Sequence, residues 1–176
     1  MAKYSFWSDA SLEPKRNFRF TLLMNGIPSW LIKKVNKPAF KINEAKHQYL
    51  GHTFYYPGNV EYEPVTITLV DPLTPDASRT IMNHIAASGY KFPLDATSTS
   101  TVSKVNAVAA LGNLTVEQID ADGNIADKWT YKNAWISDVK FGELAYEDNN
   151  LTEITLTVRY DWAEMDVPGP EAGGQS

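Results

Sequence analysis

The side chains that could hold a metal or move a proton are few and scattered. The three histidines are His47, His52 and His84. Two fall in or beside an aromatic stretch and one in an expected helix, and none has the H-E-x-x-H spacing that turns two imidazoles toward one zinc ion. Packing or solvent-facing roles suit them better. Asp120-Ala-Asp122-Gly123 offers the acids of a calcium loop, but such a loop needs glycine at its sixth position and glutamate at its twelfth. Here glycine is fourth, so the segment reads as a turn. No serine sits in G-x-S-x-G, and no glycine-rich loop of the phosphate-cradling kinds is present. Glu143 and Glu147 can be drawn as paired glycosidase carboxylates, although acids at turns are common. With no cysteine, disulfides, thiolate zinc sites and a cysteine nucleophile are excluded. The expectation is a protein with no catalytic set, no metal and no cofactor.

Composition narrows the class further. A chain of 176 residues with 43% apolar and 21% charged residues fits one soluble globular domain. Its net charge is −5 and no basic block exceeds two residues, which argues against tight nucleic-acid binding. A polymer that must pass without being held remains compatible with this balance. No apolar run approaches membrane-spanning length, and the start lacks the apolar core of a signal peptide, so folding in the cytoplasm and no membrane partner are expected. The triplets Asn113-Leu-Thr115 and Asn150-Leu-Thr152 then read as polar residues at strand ends.

The elements are mostly strands. From Ile154 the residues Ile154, Leu156, Val158, Tyr160 and Trp162 alternate with Thr155, Thr157, Arg159 and Asp161, which predicts one long strand within 151–164. Its partner is expected around Phe141 to Tyr146, across a turn at Asn149-Asn150. Phe18 to Met24 and Val65 to Val70 alternate in the same way, the latter with Thr66 and Thr68 outward. Leu114–Ile119 and a return strand from Ile125 to Val139 flank the turn at Asp120–Gly123, with Asn133 marking a bulge. Phe40–Tyr49 is strand-like but charged, as exposed edges are. In the loop that follows, Leu50 to Asn59, Phe54, Tyr55 and Tyr56 cannot all face inward, so aromatic surface should meet a partner.

One helix is clear. Thr74 as cap, Pro75 at the first helical position and Asp76 in the first turn start a helix that runs to about Ser88 and stops at Gly89. A second short helix or turn is expected near Val102–Leu111, where valines interrupt the alanines. Residues 1–16 form an arm carrying Phe6 and Trp7, residues 17–165 the β domain, and residues 166–176 a Pro/Gly-rich tail expected to be disordered.

Taken in order, several of these segments resemble the tail-tube proteins of contractile-tailed phages. They are the strand end Lys37-Pro38-Ala39-Phe40, the loop Gly51–Asn59, the strand Val65–Val70 followed by a helix, Gly142-Glu143-Leu144, and Tyr160-Asp161-Trp162. The resemblance covers roughly residues 17–164. It implies a mainly β (α+β) subunit, a β-sandwich or small barrel with one flanking α-helix, whose sheets join those of neighbours into one large ring-shaped barrel. Hexameric rings would stack into a tube around a channel for DNA. Implied partners are further copies of the chain, the sheath protein, the baseplate or tube initiator, a tape measure protein in the lumen, and DNA in transit without specific binding. The place is the virion tail, assembled in the host cytoplasm.

On that resemblance, Thr66, Thr68, Glu153, Thr155, Thr157, Arg159 and Asp161 are expected to line the channel, their hydroxyls and slight acidic excess leaving DNA unattracted. The ring-stacking contact is expected from Tyr49, His52, Phe54, Tyr55 and Tyr56. A tube initiator or terminator ring, the tube of a non-phage injection system and a monomeric β-barrel ligand-binding module are the alternatives.

Overall fold

A computed structural model of the chain describes residues 13–94, 97 and 99–166. The expected roles of Phe6 and Trp7, and the tail from Val167 onward, lie outside them. In the described part ten strands and two helices follow one another. They are β1 (Phe20–Leu23), β2 (Ile32–Val35), β3 (Phe40–Tyr49), β4 (His52–Tyr62), β5 (Val65–Val70), α1 (Ala77–Ala87), α2 (Lys104–Leu111), β6 (Leu114–Ile119), β7 (Ile125–Lys132), β8 (Trp135–Lys140), β9 (Glu153–Arg159) and β10 (Trp162–Asp166).

Two antiparallel four-stranded sheets, in the orders β1-β6-β7-β10 and β2-β5-β9-β8, face each other, and β3-β4 form a separate hairpin. Period-two alternation explains the sandwich. Leu22, Leu114 and Val116 from one sheet meet Val65, Ile67, Leu69, Ile154, Leu156 and Val158 from the other, each no more than 2% exposed. Burying each such side chain stabilises the fold by about 1.5–3 kcal/mol. Ala77 and Ile81 of α1 and Leu111 of α2 belong to the same core. Apolar side chains from both sheets fill the space between them, and neither sheet closes on itself. The mainly β sandwich is as expected.

It has two flanking helices where the resemblance implied one, the second being the segment near Val102–Leu111. The valines of α2 are tolerated because its ends are secured. The Ser103 hydroxyl accepts a hydrogen bond from the Asn106 amide at 3.2 Å, and Gly112 ends the helix at φ 70°. Packing of Ala107 and Leu111 then outweighs the weak local preference. At α1 the expected cap shifts by two residues. Asp76 is the cap, accepting from the Arg79 amide at 2.9 Å, and the helix begins at Ala77. Asp71, at the end of β5, takes the amides of Ala77 and Ser78 at 3.2 Å each. Thr74 and Pro75 precede the helix.

Both long strands read from the sequence are broken. Asn133 is not a bulge within one strand: its φ of 54° hands the chain from β7 in one sheet to β8 in the other. The C-terminal strand breaks likewise at Tyr160-Asp161, with β9 paired to β5 and β8, and β10 paired to β7. The two crossings are fastened together. The Asp161 amide donates to the Lys132 carbonyl at 3.0 Å, Asn133 Nδ2 donates to the Asp161 carboxylate at 2.7 Å, and Lys104 Nζ reaches both its oxygens at 2.7 and 2.8 Å. Parity changes at the corner, so Trp162, expected inside, is half-exposed and Ala163 turns toward the core.

The partner of β9 is Trp135–Lys140 rather than Phe141–Tyr146. Residues 141–152 form a loop, since Gly142 and the acids Glu143, Glu147 and Asp148 leave that stretch no face to bury. Gly142 sits at φ 88°, and a Cβ there would lie 2.6 Å from the Glu153 carbonyl oxygen. Glycine alone lets the loop depart so close to β9.

Candidate functional site

Two surfaces left without cover by the sandwich are the candidates. The first is the β3-β4 hairpin. Residues 50–59, expected as a loop, are mainly strand: Leu50 and Gly51, at φ 46° and 78°, make a two-residue turn, and Tyr49 pairs with His52. Paired positive φ values match the twist of the flanking strands. A register shift between Ile42 and Glu44 bends the ribbon part-way along.

The register sorts the aromatic residues. Ala45 with Tyr56, His47 with Phe54 and Tyr49 with His52 share one face, while Lys46 with Tyr55 and Gln48 with Thr53 share the other. His52 and Phe54 meet edge-on with ring centroids 4.7 Å apart, and the Lys46 ammonium lies 5.6 Å from the Tyr55 ring centre. Tyr49, Phe54, Tyr55 and Tyr56 remain 44–63% exposed. The stacking residues named from the sequence are therefore brought together on the hairpin, but on two opposed faces.

What holds the hairpin to the body was not read from the sequence. A chain of rings runs from Tyr131 to Tyr160 (4.9 Å between centroids), Tyr62 (5.6 Å) and Phe40 (5.6 Å). Tyr131 is buried in the core and its hydroxyl donates to the Asn36 carbonyl at 3.1 Å. Burial pushes its phenol pKa up, reinforced by the neighbouring Tyr160, so it stays a neutral donor. Residues this far apart in the chain leave no sequence signal beyond being tyrosines.

The second surface is the outer face of the β2-β5-β9-β8 sheet. Thr66 lies opposite Thr157, Thr68 opposite Thr155, and Val70 opposite Glu153. Arg159 follows on the same side, opposite Trp135. Six of the seven residues expected to line a channel thus share a face. Asp161 does not; it belongs to the corner held by Lys104 and Asn133, whose hydrogen bonds keep its carboxyl below the ordinary range.

The register adds three residues that the sequence reading missed, Lys34 opposite Thr68, Asp138 opposite Thr157 and Lys140 opposite Thr155. Their strands are short and lysine-bearing, so only pairing shows which way they point. The slight acidic excess expected of this face is therefore replaced by a cationic one. Lys34, Lys140 and Arg159 stand against Asp138 and Glu153, and Lys33 pairs with Glu153.

Neither surface carries catalytic geometry. Among the described residues no three His, Asp or Glu side chains are grouped to hold a metal. The Asp120 carboxylate accepts the amides of Asp122 and Asn124 at 2.9 and 2.8 Å, so it serves its own turn. At one end of the sandwich the buried Asp127 is bound by Lys15 at 2.7 Å and Lys37 at 3.0 Å. Burial alone would raise its pKa, but the two ammonium groups hold it below the usual carboxylate value.

No protein family matches the chain by sequence, and no curated protein matches it significantly. Solved structures do match. A chain of the extracellular contractile injection system PVC, in its sheath-tube complex in the extended state, superposes with a TM-score of 0.65 at 14% identity, over 88% of this chain and 92% of that one. This chain has the tube-protein fold. The same fold recurs in a chain of the anti-feeding prophage tube-terminating cap, with a TM-score of 0.66 at 14% identity over 95% and 99% of the two chains. A chain of the anti-feeding prophage baseplate, 6-fold symmetrised, gives 0.62 at 16% identity over 88% and 97%. The tube-protein fold is thus carried by a sequence far from these neighbours.

Proposed function

We propose that this chain is the repeating subunit of the tail tube of a contractile-tailed phage. Six copies close a ring by joining their sheets, rings stack head to tail, and DNA passes through the bore without specific binding. The hairpin carries this reading. It exposes an aromatic face that its own sandwich does not cover, on a body whose sheets end in open edges, and such surfaces are ready to pair with a neighbour. A contact between unlike surfaces of identical subunits does not terminate itself, which suits a filament. In this arrangement the threonine face lines the bore, the opposite sheet lies toward the sheath protein, a baseplate or initiator complex starts growth, and a tape measure protein fills the lumen before DNA. The particle is a virion tail built in the host cytoplasm, and the role is structural, without catalysis.

Electron microscopy of the purified protein, with and without an initiating baseplate complex, tests this. Hollow tubes of stacked rings are expected in at least the second case, and their absence in both overturns the reading. Introduced into this cysteine-free chain, Thr157→Cys should be shielded from bulky thiol reagents along an assembled tube and open to them in free subunits. Fast labelling along the whole tube would place the threonine face outside.

The match to the tube-terminating cap, over 95% of this chain, favours a second reading, a single ring that ends the tube. Copy number separates the two: many rings' worth per particle for a tube subunit, one ring's worth for a terminator. The PVC neighbour belongs to an extracellular contractile injection system, and the source of native particles containing this chain decides between that setting and a phage.

A further inference from the structure

We infer that the threonine face of the β2-β5-β9-β8 sheet is a weak, sequence-independent contact surface for nucleic-acid phosphates. One row crosses the whole sheet, Lys34 on β2, Thr68 on β5, Thr155 on β9 and Lys140 on β8. Strands lie about 4.8 Å apart, so the two ammonium groups bracket the paired hydroxyls across about 14 Å. Arg159 extends the cationic side along β9. Lys34, Lys140 and Arg159 are exposed, and no ion pair engages them among the described residues, whereas Glu153 is taken by Lys33. Four cations against two acids on this face contrast with the chain's net charge of −5. This face is therefore locally cationic on a chain that is acidic as a whole.

The chemistry favours phosphate over an acidic polypeptide. Lysine, arginine and threonine hydroxyls are the donors that meet phosphate oxygens without reading bases. A polypeptide partner would need apolar anchor pockets, and between Lys34 and Lys140 this face offers a row of threonines instead. Few cations, spaced widely, give contacts that are made and broken readily. The inference deepens the DNA-passage reading by saying what the face does to phosphates, yet it concerns the face whether or not a ring forms.

Fluorescence anisotropy of a labelled duplex of about 12 base pairs, at about 20 mM salt, tests it. With three phosphates neutralised, the binding constant should fall with a log-log salt slope of about −2.7, roughly 80-fold between 20 and 100 mM. Lys34→Gln/Lys140→Gln/Arg159→Gln should weaken binding at least about tenfold at the lower salt. Lys41→Gln/Lys46→Gln, on the hairpin, should change it less than about twofold, because those lysines lie off the face. No binding by the wild type, equal binding by the triple variant, or loss in the hairpin variant overturns the inference. So does capture of labelled polyglutamate in preference to DNA. Microscopy of the wild type keeps the two readings apart: wild-type tubes with no duplex binding leave the tube standing and this surface refuted, whereas duplex binding without tubes does the reverse.

Discussion

Strands β4 and β5 are separated by only two residues, and both set bulky side chains two apart along one face, yet they end in opposite surroundings. On β5, Val65, Ile67 and Leu69 are sealed beneath the second sheet. On β4, Phe54 and Tyr56 share a face at the same two-residue spacing and stand in solvent on a two-stranded ribbon. Alternation specifies a strand with two faces. Whether another layer covers one face depends on what the rest of the chain, or another chain, brings there. The difference divides the molecule into a region that stabilises the subunit and a region kept for its neighbours.

The division can be broken or sharpened by substitution, and stability and assembly should respond in opposite order. Leu156→Ala, at the middle of the buried face of β9, should cost about 2–5 kcal/mol of unfolding free energy in denaturant titration. A loss under about 1 kcal/mol would mean the sandwich interior is loosely filled. Tyr62→Ala removes the link between the ring chain and the hairpin root. It should cost less than the Leu156 change, about 1–3 kcal/mol, and raise amide exchange selectively in β3 and β4; exchange raised equally in β5 and β9 would show that the hairpin is not a separate unit.

Asp161→Asn comes next, at about 1 kcal/mol, because it loosens the corner but removes no core. Its pH dependence has a definite sign. The folded pKa of Asp161 is depressed by Lys104 and Asn133, so its contribution is present above the ordinary value of about 3.9 and is lost as pH falls through the folded value. The variant should therefore lose less stability than the wild type on acidification below about pH 4. Parallel pH curves would sink the assignment of Asp161 to the corner.

Phe54→Ser/Tyr56→Ser should change subunit stability least, within about 0.5 kcal/mol, while abolishing tube elongation in the microscope. Tyr55→Ser, on the other face, tests which side makes the contact. Unchanged tubes with either variant exonerate that side, and unchanged tubes with both would end the stacking role of the hairpin.

Much of the fold was legible because alternation and capping are local. The strand at Val65–Val70, the helix stopping near Gly89 and the turn at Asp120–Gly123 all follow from residues within a few positions of one another. The mainly β architecture and the shared side of Thr66, Thr68, Thr155 and Thr157 were legible for the same reason. The broken strands were not. Asn133 and Asp161 show as a lone polar residue and an acid in an otherwise regular pattern, and nothing nearby reports that they bond each other across 28 residues.

The sequence by itself determined which segments extend, which coil, and which side of each extended segment is greasy, because those properties depend on spacing along the chain. Only the tertiary structure decided where the long runs cross between sheets, which lysines join the threonine rows, and which aromatic face is left bare. Those outcomes depend on pairings between distant strands, and a pairing offset by one residue would turn every side chain to the other face.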